Sequence, residues 1–436
     1  MKNKKRNRRV HGSIALAGTA AVLYGVACSA EPQTFDWSIL AGAERSDNVK
    51  RSSEDEESQT TAIAGAQLRI LSDRPRLHTD VNLDAEYRNY LDNAFDDEIL
   101  GGLDGTLIFG FVPERFTWIV QDNFGQVSND PREVDTPDNR QNLNYFTTGP
   151  DFIFRFGERT RLTLQGRWSD VYYQDSESDN ERYTGLISLE RDISELLSLS
   201  FRGSASRVEY DDSPPNSDYD EQEVYLTLDA HGTRTIASAA LGYTELHDFG
   251  TTADELLARF TVTRQIGARS SLSLQAGREF SDTADIFRLD QGAGGVRLDG
   301  SGAALSNDPF KSDYVYLTWQ TRNERTTWKL TGNWRKEAHE QQSELDRRSV
   351  GAYGDVERRI SPRATLQLEA TYWQNDVTGS DTRLDEWSAG GIFSYQVGRN
   401  FSLQARLTHY TGSGTGDEHD YDENRLYLGV IYHGRP

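Results

Sequence analysis

Residues 161–170 read RLTLQGRWSD. Successive side chains of an extended chain point to opposite faces, so Leu162, Leu164, Gly166 and Trp168 share one side, and Thr163, Gln165, Arg167 and Ser169 the other. A soluble sheet would turn such an apolar face into a core. Close variants of this alternation recur along the chain, and no amphipathic helix of ordinary length stands between them to cover that face. The fold therefore turns on which solvent each face meets.

Alternating runs bounded by turn residues number about 20. They cover residues 35–44, 61–71, 77–90, 103–112, 116–126, 146–156, 162–172, 183–191, 197–207 and 224–231, then 235–246, 256–264, 272–280, 314–321, 328–336, 350–357, 366–373, 387–397, 401–410 and 426–432. One set of connections is short and often basic: SDRPR (72–76), VPER (112–115), GERT (157–160), HGTR (231–234), RNER (322–325), RISPR (359–363) and VGRN (397–400). The other is long and acidic: VKRSSEDEES (49–58), SNDPREVDTPDNR (128–140), QDSESDNE (174–181), YDDSPPNSDYDE (210–221), GTGDEHDYDE (414–423) and the Gly- and Asp-rich stretch 281–313. Strict alternation of short and long connections predicts an all-β, transmembrane up-and-down antiparallel barrel, with short periplasmic turns, long acidic extracellular loops and both termini in the periplasm. Merging two irregular runs such as 235–246 into their loops would give 18 strands. A soluble multi-domain β-protein is the structural rival.

Composition narrows the class. Mean hydropathy is −0.70, and no segment after the N-terminus supplies the roughly 20 consecutive apolar residues that a spanning helix needs. Yet 8 Trp, 20 Tyr and 18 Phe are too many for a solvated disordered chain. A net charge of −22 argues against nucleic acid as a partner. The N-terminus reads as a secretory signal: MKNKKRNRR is the charged region, SIALAGTAAVLYGVA the apolar one, and CSA precedes Glu31. Residues 1–30 are thus expected to be cleaved, leaving 31–436 as a single outer-membrane barrel domain exported by the Sec route. Cys28 as a lipidated N-terminus is the alternative. Cleavage after Ala30 removes the only Cys, and with it any disulfide or thiolate chemistry.

With about 20 strands, side chains alone cannot fill the interior. The polar face carries Gln67, Asp80, Asn82, Asp84, Arg155, Arg167, Arg202, Arg259, Lys329, Arg335, Glu369 and Arg406, and burying these unpaired would cost several kcal/mol each. They are expected to line a wet lumen while the Leu, Phe, Trp and Val face meets hydrocarbon. Acidic residues Asp80, Asp84, Glu86 and Asp104 gather on two early strands, opposed by the basic residues. The charges either set up a transverse field favouring polar solutes or pair for stability alone. Inward aromatics Tyr225, Tyr314, Tyr316, Tyr353, Trp373 and Tyr410 would suit sugar rings.

No catalytic constellation is legible. His78, His231, His247, His339, His409, His419 and His433 lie beside no nucleophile motif, and neither a P-loop nor a dinucleotide glycine pattern occurs. Acidic pairs such as Asp96–Asp97 and Asp211–Asp212, and the run 417–423, could take Ca²⁺ through oxygen ligands. EF-hand spacing is missing, and solvated loops beside lipopolysaccharide are the favoured reading. The expectation is no enzyme, no cofactor and no metal site.

Two short segments carry a family resemblance. AERSDNVKR (43–51) resembles the first hairpin of the β-barrel porin 2 family, and TWIVQDNFGQ (117–126) is similar to an internal strand of exosortase- and exopolysaccharide-associated outer-membrane barrels. The resemblance implies a Gram-negative outer-membrane barrel that helps pass a secreted polysaccharide, beside a periplasmic export protein. It implies no catalytic residue. The last strand, RLYLGVIYHGRP, resembles a barrel insertion signal, but Gly434, Arg435 and Pro436 stand where the pattern ends on an aromatic. The expected function is a channel taking part in exopolysaccharide export. A porin for uptake of small polar solutes and a plugged barrel for surface interaction are the alternatives, and 281–313 could fold inward as a constriction or stand outside as a mobile loop.

Overall fold

A computed structural model describes residues 34–211, 218–248, 251–292, 308–378, 382–415 and 420–434. The expected signal and its cleavage site, parts of the acidic loops, and residues 293–307 of the long stretch lie outside these. The described chain is one 20-stranded antiparallel sheet in which each strand pairs with its sequence neighbours and β1 (Thr34–Ser46) pairs with β20 (Tyr421–His433). The sheet thereby closes on itself, and no row of backbone groups is left at an open edge within the bilayer. Each of the 20 predicted runs is one strand. Residues 235–246 are not absorbed into a loop but form β11 (Thr235–Asp248).

Register fixes which side chains look inward. In β7 (Thr160–Tyr173), Leu162, Leu164 and Trp168 pair with Leu189, Ile187 and Tyr183 of β8 (Asn180–Ser194), and this face is apolar and exposed over most of the ring, with Ile70, Val81, Leu103 and Leu107 packed into a buried cluster on it. A continuous exposed apolar wall of this extent is stable only against lipid. Aromatic residues rim it at both heights. Phe116, Phe152, Trp328 and Phe401 stand near the short turns, and Tyr87, Trp168, Tyr183, Tyr372 and Trp387 near the long loops. Two such girdles mark the two membrane interfaces.

Three features depart from the sequence reading. β11 and β12 (Thr251–Gly267) pair up to Asp248 opposite Thr251, so short and long connections do not alternate strictly. The stretch after β13 (Ser270–Ser281) contains a ten-residue helix, α1 (Thr283–Gly292), where no ordinary helix was expected; it is too brief for helical periodicity to stand out. Pairing between β12 and β13 begins only at Ala258 opposite Arg278, so the outer part of β12 is bonded to β11 alone, and the Lys311 Nζ–Glu255 ion pair (2.8 Å) lies beside this seam.

Candidate functional site: the lumen and its outer mouth

The inward face is largely polar because alternation places charged, hydroxyl and amide side chains on it, with Ile63, Ile119, Leu143 and Leu257 among the apolar exceptions. Every lumen residue nominated from sequence lies on it. Asp80 and Asp84 sit on β3 (Leu77–Tyr90) and Asp104 on β4 (Glu98–Val112), with Asn82 opposite Asp104. Asp80 accepts a hydrogen bond from Asn82 (3.4 Å) and Asp104 one from Asn123 (3.3 Å). These three form an acidic stretch of wall.

The basic residues form no opposing wall. They are spread around the ring, most beside a carboxylate of a neighbouring strand or turn. Arg155 pairs with Glu114 of a turn (3.2 Å), Arg167 with Asp151 (2.6 Å), Arg202 with Asp229 (3.9 Å) and Arg335 with Glu337 (2.7 Å). Arg259 pairs with Glu223 (2.5 Å) and Glu279. Lys329 stands opposite Asp355, which stands opposite Glu369 on its other side. Arg406 faces Tyr427 and Ile392, with no ion pair among the described residues. Local pairing, rather than a field across the lumen, is the geometry present. Tyr314, Tyr316 and Trp373, expected as open platforms for sugar rings, are instead only 4%, 7% and 4% exposed. Tyr314 donates to Glu279 (2.8 Å), and Trp373 lies under the β5–β6 loop beside Pro131.

The outer mouth is built mostly from residues that sequence reading did not single out, together with Tyr410 and the start of 281–313. From the β1–β2 loop, Arg51 turns inward with φ 53°. Its guanidinium meets Glu423 (3.1 Å) and Glu386 (3.5 Å) and lies over the rings of Tyr410 and Tyr421. From the β5–β6 loop, the carbonyl of Pro131 reaches β17 (Ala364–Val377), where Asn375 Nδ2 donates to it (2.6 Å). From the other side, α1 lies against β5–β7: Ala284 and Phe287 pack with Val127, Leu143, Tyr145, Val171 and Tyr173, and Arg288 sits over the Tyr145 ring (4.7 Å). The start of 281–313 therefore folds inward.

A buried ion pair anchors this helix. Asp282, 1% exposed, accepts from Arg182 of β8 (2.5 Å) and from the Tyr219 hydroxyl (2.7 Å), while Asp285 lies 3.2 Å from Arg182. Burial opposes ionisation of Asp282, yet Arg182 and Tyr219 outweigh it and hold the carboxyl below its usual range. For Asp285, burial and the neighbouring Asp282 charge push the carboxyl up. Nearby on the inner wall, Glu337 binds both Arg335 and Arg347 (2.5 Å), all three nearly solvent-free. Among the described residues no group of His, Cys, Asp or Glu is arranged to hold a metal ion.

A closed barrel with a lipid-facing apolar wall, a charged interior and loops folded into one mouth defines a transmembrane β-barrel of the outer-membrane type. No protein-family model matches the chain, and no curated protein matches it. Solved structures that it resembles include the siderophore receptor PirA from Pseudomonas aeruginosa (11% identity, 93% of this chain and 82% of that one, TM-score 0.45). A ferric enterobactin receptor (PfeA) mutant from the same organism aligns at 10% identity over 92% and 80% of the two chains (TM-score 0.48). OccK2 (OpdF) from P. aeruginosa, solved with glucuronate, aligns at 13% identity over 92% and 98% (TM-score 0.38). At these identities and scores the likeness assigns no substrate, partner or residue role.

Proposed function

We propose that the chain is an outer-membrane channel for a hydroxyl-rich polar cargo, and that this cargo is an exopolysaccharide chain leaving the cell. The observation that carries the reading is the asymmetry of the two ends. Periplasmic turns such as 112–116, 231–235 and 322–326 are too short to cross a 20-stranded ring, so among the described residues no turn spans the opening by which a polymer would enter. Their arginines, among them Arg115, Arg234, Arg325 and Arg363, are exposed and would gather an acidic or hydrated chain at the entrance. The outer end carries inward loops held by side chains, which an emerging polymer could displace. Outside the acidic stretch of Asp80, Asp84 and Asp104, the paired wall supplies hydrogen-bonding groups with little local net charge, which suits passage of a sugar chain. The family resemblance of 43–51 and 117–126 points the same way, and to a periplasmic export protein as neighbour.

Deleting the gene and measuring cell-surface polysaccharide tests this: loss is expected, and unchanged export overturns it. In planar bilayers, block by polysaccharide from the periplasmic side is expected, and block by small sugars alone would favour uptake. A second reading, a sealed barrel for surface interaction, is favoured by the Asn375–Pro131 bond and by the covered Tyr314 and Trp373. It predicts no conductance even when the mouth contacts are cut.

A further inference from the structure

The outward face carries its own charge pattern just above the apolar wall. Over β7–β12 that rim is acidic: Asp170 stands opposite Glu181, Glu181 opposite Glu209, and Glu245 opposite Asp254. Over β13–β16 it is basic. Arg278, Lys336 and Arg348 project outward on β13, β15 (Thr326–His339) and β16 (Arg347–Ser361), and Lys336 and Arg348 are direct cross-strand partners. Both are exposed, and among the described residues neither makes an ion pair.

The carboxylates beside them do not resolve this. Asp313, opposite Lys336, is held by both arms of Arg278 (2.5 and 2.8 Å), and Asp376, opposite Arg348 on the far side, forms no ion pair with it. Like charges directly opposite on adjacent strands repel. Two cations left so at headgroup height call for an anion from outside the chain.

Beside them, the lipid-facing wall over β9–β15 is indented by a groove of about 770 Å³ whose one end reaches Trp334, two residues below Lys336 on the same face. It follows one hydrogen-bonded row, Leu228–Ala239–Phe260–Ala276–Val315, with Ala258 beside it. Alanines stand here where adjacent strands carry leucine, which makes the trough. Cations at the outer interface above one end of an apolar trough match one ligand chemistry: a phosphate joined to acyl chains.

We propose that β13–β16 form a docking site for a phosphorylated, multiply acylated lipid of the outer leaflet, of the lipid A class. Its phosphate is held between Lys336 and Arg348, and an acyl chain lies along the trough. This site is on the outer wall and is independent of what passes through the lumen.

The test uses the full mature barrel in detergent, with native mass spectrometry reading bound lipid. Bis-phosphorylated lipid A is expected to stay bound, and Lys336→Glu with Arg348→Glu to weaken it about tenfold or more. Lys336→Arg should retain it. Heat-modifiable mobility and bilayer conductance, which a folding defect would change, should match the wild-type barrel. Equal retention of lipid A by the double variant, or equal retention of dephosphorylated and bis-phosphorylated lipid A by the wild type, overturns the proposal. Displacement by inorganic phosphate at the lipid's own concentration would show a free-anion site and overturns it as well.

Discussion

The two ends of this barrel solve opposite problems. At the periplasmic end, neighbouring strands turn back on themselves within a few residues, and the arginines there point into water. At the outer end, buried groups that are distant in sequence meet: Arg51 with Glu423, Arg182 with Asp282, and Asn375 with the Pro131 carbonyl. Hydrogen bonding and lipid set the wall, whereas the outer mouth is held by a few charged contacts whose desolvation must be offset pair by pair. Structure in the wall is therefore diffuse, and structure at the mouth is concentrated in single residues.

Cutting the α1 anchor should separate the two ends most sharply. Asp282→Ala leaves Arg182 buried beside Asp285 alone, which should cost about 3–5 kcal/mol of helix docking and raise single-channel conductance while heat-modifiable mobility stays that of a folded barrel. Unchanged conductance would mean that α1 does not restrict the mouth. Next in size, Leu241→Arg places a charge midway up the lipid face, where exposure is 61%, and should lower unfolding stability in bilayers by about 2–4 kcal/mol. Gln275→Arg, on the lumen face of β13, should be tolerated. If the two cost the same, the inside and outside of the wall have been exchanged.

The effect of pH is smaller and has a defined sign. Because the Asp282 carboxyl is depressed, its contribution is complete above the unfolded value of about 3.9 and is lost only as pH falls through its lower folded value. Asp285 is shifted the other way, so acidification from neutrality first relieves its repulsion with Asp282. Conductance should therefore hold steady from pH 7 to about pH 4 and rise below that, read in bilayers at fixed salt. A rise already at pH 6 would contradict the pairing. Smallest of all, Arg115→Ala at a periplasmic turn should alter neither conductance nor unfolding, and a large change there would erase the contrast between the ends.

What could be read in the sequence follows the same division. All twenty strands are legible because lipid on one side and water on the other impose a period of two at each crossing, as in 161–170. Strand ends are legible at the short turns, where Gly, Pro and Arg cluster. They are not legible at the outer ends, because above the bilayer both faces meet water or loop and the alternation fades; β6 (Arg140–Phe156) begins six residues before its apolar run. Inward charges such as Arg167 and Arg259 follow from parity alone. Their partners do not, since Arg182 and Asp282 lie 100 positions apart and only the ring's closure brings them together. Parity on β8, which aligns Arg182 with Thr184 and Glu190, was the one available clue to that anchor.

The early end of pairing between β12 and β13 has a mechanical consequence. Above Ala258 the cylinder is slit, so amides of residues 251–257 that face β13 have no strand partner there; Leu256 N–H donates instead to the Glu255 carboxylate (3.0 Å), and deuterium should enter this stretch sooner than at any other rung of comparable height. Under load or denaturant, the wall would part at this notch first, and the join between the first and last strands would outlast it.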